Sequence, residues 1–126
     1  MKLGIKKIEY RHKDVTGNTA WKQLNIVQFS GTLAEEWSEE PAGMLSTVTI
    51  QAELRRSSEQ NDRLLLELLK SQHHYRITDM NGYQYLIGTA DYLPRLTYQR
   101  AIAKLNPNGY KLKLIYKSPK GLVISG

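Results

Sequence analysis

Two adjacent histidines followed by an acid are the first side chains in this sequence that could bind a metal ion. His73 and His74 are neighbours, and Asp79 follows on the same segment. The surrounding residues predict a strand, in which neighbouring side chains point to opposite faces, so the two imidazoles would not share one ion. Metal sites usually place histidines two apart on a strand or four apart on a helix, and neither spacing occurs. We therefore predict no metal site and no cofactor.

Four glutamates surround one tryptophan in the segment 31–43, GTLAEEWSEEPAG. Catalytic carboxylate pairs need a rigid cleft that separates their pKa values. This segment follows no stable period, contains Pro41 and Gly43, and lacks the Asp, Asn and Gly spacing of a calcium loop. We interpret it as a long, acidic, mobile loop. Because an exposed tryptophan is typical of an interface, we expect the loop to contact a partner. The residues concerned are Glu35, Glu36, Trp37, Glu39 and Glu40.

Basic side chains with aromatic neighbours give the chemistry of nucleic-acid binding. Together they could form a sheet surface that stacks bases and holds phosphates, as in an OB-type barrel. However, the alternation over 110–117 puts Tyr110 and Tyr116 on the face opposite the lysines, which is typical of tyrosines in a core and lysines in solvent. Nucleic-acid binding stays open as the alternative function. The set comprises Tyr75, Arg76, Tyr83, Tyr85, Lys111, Lys113 and Lys117.

Signals for enzymatic chemistry are absent from the sequence. There is no Gly-x-Ser-x-Gly, Walker or HExxH motif, and the glycines fall at turns or strand ends. The absence of cysteine excludes disulfides, thiolate metal sites and a cysteine nucleophile. We predict a protein that is not an enzyme.

Length and composition indicate one domain over residues 1–126, with 40% apolar and 24% charged residues. No apolar run approaches the roughly 18 residues that a membrane-spanning helix needs. The first residues have lysines but no apolar stretch or cleavage site of a signal peptide. We therefore expect a soluble, cytoplasmic, basic domain without a membrane partner.

The net charge of +6 is unevenly distributed along the chain. Residues 1–22 contribute +4, residues 23–62 contribute −5 and residues 63–126 contribute +7. A self-assembling subunit would use both signs, since one patch meets the other on a neighbour. The acidic third therefore favours a protein partner over DNA.

The elements that would position these groups are mostly strands. The segment 45–54 alternates apolar and polar residues, as in a half-buried antiparallel strand. In 3–11, Ile5 and Ile8 have opposite parity, which a bulge or burial of both faces would explain. The segment 96–105 fits a strand or a helix, and its Thr, Tyr and Ile content favours a strand. Strands are predicted over 3–11, 21–29, 45–54, 73–89 (a hairpin), 96–105, 110–117 and the C-terminal LVI.

One helix is predicted, over about 58–71. Ser57 or Ser58 would cap its start, and leucines at helical spacing would form its buried stripe. In the hairpin 73–89, Asn81-Gly82 predicts a two-residue type I′ turn. The pattern indicates an α+β fold, mainly antiparallel β, as a sandwich or partly closed barrel with one flanking helix. The leucine stripe comprises Leu64, Leu65, Leu68 and Leu69.

Two stretches resemble small virion proteins encoded in prophages of Bacteroides-like bacteria. The first is YRITDMNGYQYLIGTADYLPRL (75–96), a hairpin followed by a "YLIGT" strand and a loop ending in Pro and Leu. The second is NPNGYKLKLIYKSP (106–119), which enters a lysine-alternating strand through Gly-Tyr. The acidic segment and the alternating strand after it (39–54) occur in the matching order.

The resemblance implies a structural component of the tail or head–tail region of a phage. It implies an antiparallel β-sandwich or barrel with one helix and a loop that reaches the neighbouring subunit, but no catalytic residues. The expected partners are further copies of the chain and other tail proteins, first in the host cytoplasm and then in the virion. The expected subunit interface comprises Glu35, Glu36, Trp37, Glu39, Glu40, Lys111, Lys113 and Lys117.

Overall fold

A computed structural model describes residues 2–12, 21–24, 26, 30–54, 59–88, 92–101, 109–121 and 123–124. These residues form nine strands and one helix. In chain order the elements are β1 (Lys2–His12), β2 (Lys22–Leu24), β3 (Thr32–Glu40), β4 (Gly43–Leu54), α1 (Glu59–Lys70), β5 (His73–Asp79), β6 (Gln84–Ile87), β7 (Arg95–Ala101), β8 (Gly109–Ser118) and β9 (Val123–Ile124).

The strands form one antiparallel sheet in the order β7-β8-β4-β3-β1-β5-β6-β9, and β2 pairs with β1 beside this path. Among the described residues, the sheet does not close into a complete barrel. This confirms the predicted class, an α+β fold that is mainly antiparallel β with one helix. Antiparallel order follows from the short connections between most consecutive strands, which leave no room for crossover helices.

Strand β1 joins two parts of the sheet. Its first residues pair with β3, as in Leu3 opposite Leu33, and its later residues pair with β5 on one side and β2 on the other. The register with β5 shifts between Ile5 and Lys7. Because this bulge inserts one residue, Ile5 and Ile8 both reach the core and are each 1% exposed. Of the two explanations that their opposite parities allow, a bulge or burial of both faces, the structure shows the bulge.

The core is one continuous apolar cluster that takes side chains from eight strands and from the helix's inner face. In β8, Tyr110 and Tyr116 are buried while the alternate lysines are exposed. The alternation predicted for this strand and for 45–54 is therefore confirmed. The buried members are Ile5, Ile8, Tyr10, Leu24, Leu33, Val48, Ile50, Ala52, Leu54, Leu65, Leu68, Tyr75, Ile77, Ile87, Leu96, Tyr110, Leu112, Leu114 and Tyr116.

Helix α1 occupies almost the range predicted for it. Leu65 and Leu68 pack into the core, but Leu69 is 49% exposed, so the predicted leucine stripe is only partly buried. The serines proposed as its cap lie outside the described residues. No helix in the described part of the chain has the length and apolar character to cross a membrane.

The hairpin between β5 and β6 has a longer turn than the sequence predicts. The Asp79 amide donates to the Tyr83 carbonyl over 2.9 Å, and the Gly82 amide donates to the Asp79 carbonyl over 3.1 Å. Three residues therefore connect the strands, with Gly82 at a φ of 91°. The two-residue turn was a wrong prediction, because buried Asp79 accepts the amides of Asn81 and Tyr83 and so fixes the wider turn.

The segment 31–43 is not a long loop, contrary to prediction. Its residues from Thr32 to Glu40 form β3, which pairs with β4 from Thr32 opposite Gln51 to Glu40 opposite Gly43. Only Pro41 and Ala42 lie in the turn. No strand period was visible because most of these side chains are exposed on both faces, and backbone pairing to β4 sets the structure instead.

The structure describes two of the predicted strands only in part. The segment 96–105 is a strand as far as Ala101, which resolves the choice between strand and helix, and residues beyond it lie outside the described ones. Of the predicted strand 21–29, the described part is β2 and a bridge from Ile26 to Leu54.

Candidate functional site

The hairpin of β3 and β4 extends beyond the strands on either side of it. Strand β1 pairs with β3 only up to Ala34, and β8 pairs with β4 only from Ser46 onward. Among the residues that the structure describes, 35–37 pair only with 46–48 of β4, and 38–45 pair only with each other. We call residues 35–45 the hairpin arm. Its backbone edges are not covered by another described strand.

The two faces of the hairpin arm carry different side chains. Glu35, Trp37 and Glu39 continue the face that is buried at Leu33, because side chains two residues apart share a face. The Ser46 hydroxyl donates to Oε2 of Glu35 over 3.1 Å and fixes that carboxylate. The opposite, outer face of the arm carries Glu36, Ser38 and Glu40. The five predicted residues of the acidic segment are thus divided between two faces.

The indole of Trp37 is packed against the protein on one side and exposed on the other. A Cβ atom built on Gly121 would stand 2.7 Å from Cζ2 of Trp37, so the indole packs on the backbone there. The side chain nevertheless stays 47% exposed, and Met44 on the same hairpin is 54% exposed. Two large apolar side chains at the end of an acidic arm form an exposed apolar patch with a charged rim.

The three predicted lysines lie on the outer face of β8. Lys111, Lys113 and Lys117 are exposed and alternate with buried residues. Lys117 is opposite Thr47 of β4, and Thr47 is opposite Glu36 of β3. Two strand spacings, roughly 10 Å, therefore separate the lysine row from the acidic outer face of the arm. Strand β4 thus lies between Glu36 of the arm and Lys117 of the lysine row.

The histidines are placed as the strand pattern predicts. His73 is buried, and its Nδ1 lies 3.1 Å from the carbonyl oxygen of Ser71. Its ring centroid is 5.3 Å from that of His12. Burial lowers the pKa of His73, and burial followed by the charge of Arg11 lowers the pKa of His74. The described residues contain no group of three side chains that could hold a metal ion.

A cation–aromatic cluster on β1 and β5 was missed by sequence reasoning. Arg76 donates from Nε to Oε1 of Glu9 over 3.0 Å and from Nη2 to Oε2 over 2.9 Å. The guanidinium carbons of Arg11 and Arg76 lie 4.3 and 4.8 Å from the ring centroid of Trp21. Glu9 and Arg76 are 67 residues apart in sequence, so only the β1–β5 register brings them together.

The aromatic set proposed for base stacking is largely unavailable to a ligand. Tyr75 is 2% exposed and Tyr85 is 8% exposed, whereas Tyr83 in the hairpin turn is 56% exposed. Arg76 is occupied by Glu9. The lysine row therefore lacks the neighbouring tyrosines that the sequence suggested for nucleic-acid binding.

Comparison with protein families, with curated proteins and with solved structures finds no significant match. The hairpin arm and the lysine row are the features on which a functional assignment depends.

Proposed function

We propose that the chain is a non-enzymatic structural subunit of phage or prophage tail type, which self-associates into rings or tubes. The observation that supports this most is the hairpin arm, which extends past its neighbouring strands and exposes Trp37 and Met44. Exposed aromatic side chains with a polar rim are typical of the centre of a protein interface.

Charge supports a second copy of the chain as the partner of the arm. The hairpin arm contains four glutamates and no lysine or arginine. The exposed lysine row on β8 has the complementary sign, but β4 keeps it away from the arm of the same chain. Contacts between the arm of one copy and a basic surface of the next would pair these charges. Such head-to-tail contacts form closed rings when the rotation between subunits permits.

The tail assignment comes from the prophage resemblance of 75–96 and 106–119. The β-rich fold and the helix of the described residues are consistent with the architecture that the resemblance implies, although the acidic segment is a strand and not a loop. Other tail proteins are the further partners in this proposal. Assembly takes place in the host cytoplasm, and the product is part of the tail or head–tail region of the virion.

Analytical ultracentrifugation over a range of protein concentrations tests self-association. The unmodified protein should form species larger than a monomer, and added salt should dissociate them because it screens exposed charges. A variant that combines Trp37→Ala with Glu36→Gln, Glu39→Gln and Glu40→Gln should remain monomeric. The matched control combines Tyr83→Ala with Glu67→Gln, an exposed aromatic and an exposed glutamate away from the arm.

The control variant should associate like the unmodified protein. An unmodified protein that stays monomeric at every concentration contradicts the proposed self-association. If the arm variant and the control variant weaken self-association equally, the arm is not the surface through which the copies associate.

Nucleic-acid binding is the second candidate, because Lys111, Lys113 and Lys117 are exposed on one face of β8. Fluorescence anisotropy with single-stranded and duplex oligonucleotides tests it. Binding through phosphates should weaken steeply with salt, and replacing the three lysines with glutamine should abolish it. No anisotropy change at low salt removes this candidate.

A further inference from the structure

Strand β7 has an edge that no described strand covers. It pairs with β8 from Arg95 opposite Ile115 to Ala101 opposite Gly109, and it is the last strand on its side of the sheet. An uncovered edge presents backbone N–H and C=O groups that pair readily with another strand. Strand β7 is seven residues long, and the backbone groups of alternate residues point to this open edge.

A groove with a volume of about 530 Å³ lies between the start of β7, residues 95–97, and the C-terminal end of α1. Leu69 of α1 lines it and is 49% exposed, although it belongs to the apolar stripe of the helix. Lys70 and Arg95 also line the groove, and both are exposed. The groove thus combines an open strand edge, an apolar side chain and two cations.

The hairpin arm matches the β7 edge in length and face polarity, and it carries the opposite charge to Lys70 and Arg95 of the groove. Its β3 part, residues 35–40, is six residues long, close to the length of β7. Strand β7 carries Arg95 and Thr97 on its exposed face and the buried Leu96 between them. If the inner and outer faces of the added strand align with those of β7, Glu36 lies on the outer face with Arg95 and Thr97. Trp37 then lies on the inner face and points toward Leu69.

We infer that β3 of the hairpin arm adds as a further strand to the β7 edge of a second copy of this chain, with Trp37 in the groove beside α1. The inference rests on the proposed self-association and identifies the acceptor surface for the arm. It gives one sheet that continues from copy to copy, in which main-chain hydrogen bonds provide affinity and alternate side chains provide specificity. The lysine row of β8 then lies two strand spacings from the docked arm, with β7 between them.

Two substitutions on α1 separate this acceptor from other surfaces. Leu69→Glu places a negative charge in the groove, facing the acidic arm, and should weaken self-association about tenfold or more. Leu66→Glu is the matched control, because Leu66 is 42% exposed on the same helix but does not line the groove. Sedimentation should show weaker self-association for Leu69→Glu and unchanged self-association for Leu66→Glu. Circular dichroism should show the same helix content for both variants.

Cross-linking gives a second measurement that does not depend on Leu69→Glu folding. The chain has no cysteine, so Ser38→Cys and Thr97→Cys each introduce one thiol. Within one chain these positions lie three strands apart, roughly 14 Å, and the register offsets them by six residues, roughly 20 Å, along the strands. Each variant has a single thiol, so a cross-link must join two copies of the chain. A mixture of the two single variants, treated with a short bifunctional maleimide, should give a cross-linked pair. Ser38→Cys mixed with Tyr83→Cys should not.

The outcomes distinguish the two proposals. Association that is lost in the arm variant but unchanged by Leu69→Glu, with no Ser38–Thr97 cross-link, overturns the β7 acceptor and leaves self-association through the arm intact. A monomeric unmodified protein overturns both. Loss with Leu69→Glu but not Leu66→Glu, together with the specific cross-link, supports the inference.

Discussion

The indole of Trp37 lies so close to the backbone at Gly121 that an added Cβ atom there would stand 2.7 Å from Cζ2 of the ring. The same Cβ atom would stand 2.8 Å from Oε2 of Glu35. Gly121 has a φ of 73°, a backbone conformation that residues other than glycine rarely adopt. The segment after β8 therefore supports the inner side of the hairpin arm and orients its tryptophan.

Gly121→Ala should lower the free energy of unfolding by about 2 kcal/mol or more, because backbone strain adds to the clash with Trp37. Gly43→Ala is the matched control, since Gly43 has a φ of 124° but no atom within 4 Å of an added Cβ. It should cost about 1 kcal/mol from strain alone. Urea unfolding measures both. Adding Trp37→Ala should recover part of the Gly121→Ala loss, and strict additivity of the two changes would contradict the contact.

Asp79→Ala should destabilise the β5–β6 hairpin by about 3 kcal/mol, because the buried carboxylate accepts three hydrogen bonds. They come from the amides of Asn81 and Tyr83 and from the Tyr85 hydroxyl, which is 3.0 Å from Oδ2. Tyr85→Phe removes only one of them and should cost about 1 kcal/mol. Equal losses for the two variants in denaturant unfolding would show that the turn amides do not depend on Asp79.

Glu9→Gln should lower the free energy of unfolding by about 2 kcal/mol, because it breaks the paired, charge-assisted hydrogen bonds from Arg76. Those hydrogen bonds also lower the pKa of Glu9 below its ordinary value of 4.5. The stabilisation is therefore present above pH 4.5 and is lost as the pH falls through the lowered pKa. Lys7→Met is the control, since Lys7 lies 3.7 Å from Glu9 near the surface and should cost under about 0.5 kcal/mol.

Stability should fall as the pH drops below 6.5, the ordinary pKa of histidine. Burial lowers the pKa of His73 and of His74 in the folded chain, so below pH 6.5 the unfolded chain binds protons that the folded chain does not. Urea midpoints measured from about pH 8 to about pH 5 should show this slope. His73→Gln should reduce the slope in that window, and an unchanged slope would mean that His73 is not one of the groups responsible.

The sequence predicted those parts of the fold in which side-chain patterning follows burial. In 45–54 and 110–117 one face is in the core and the other in solvent, so the alternation of residue types shows the strands directly. The opposite parities of Ile5 and Ile8 indicated the bulge in β1 for the same reason. The acidic segment has no such pattern, because most of the hairpin arm buries neither face. Its sequence therefore resembles that of a loop although the segment is a strand.

The residues of the candidate interface were chosen from the sequence, but their arrangement depends on tertiary structure. Residue types and charge lead to the prediction that Trp37 and its acidic neighbours contact a partner. Only strand register shows that β4 separates Glu36 from Lys117 and that the arm extends past its neighbours. Pairing between strands far apart in sequence likewise determines the Glu9–Arg76 contact and the open edge of β7. Local sequence specifies which side chains favour burial, whereas backbone hydrogen bonds between distant segments decide which of them meet.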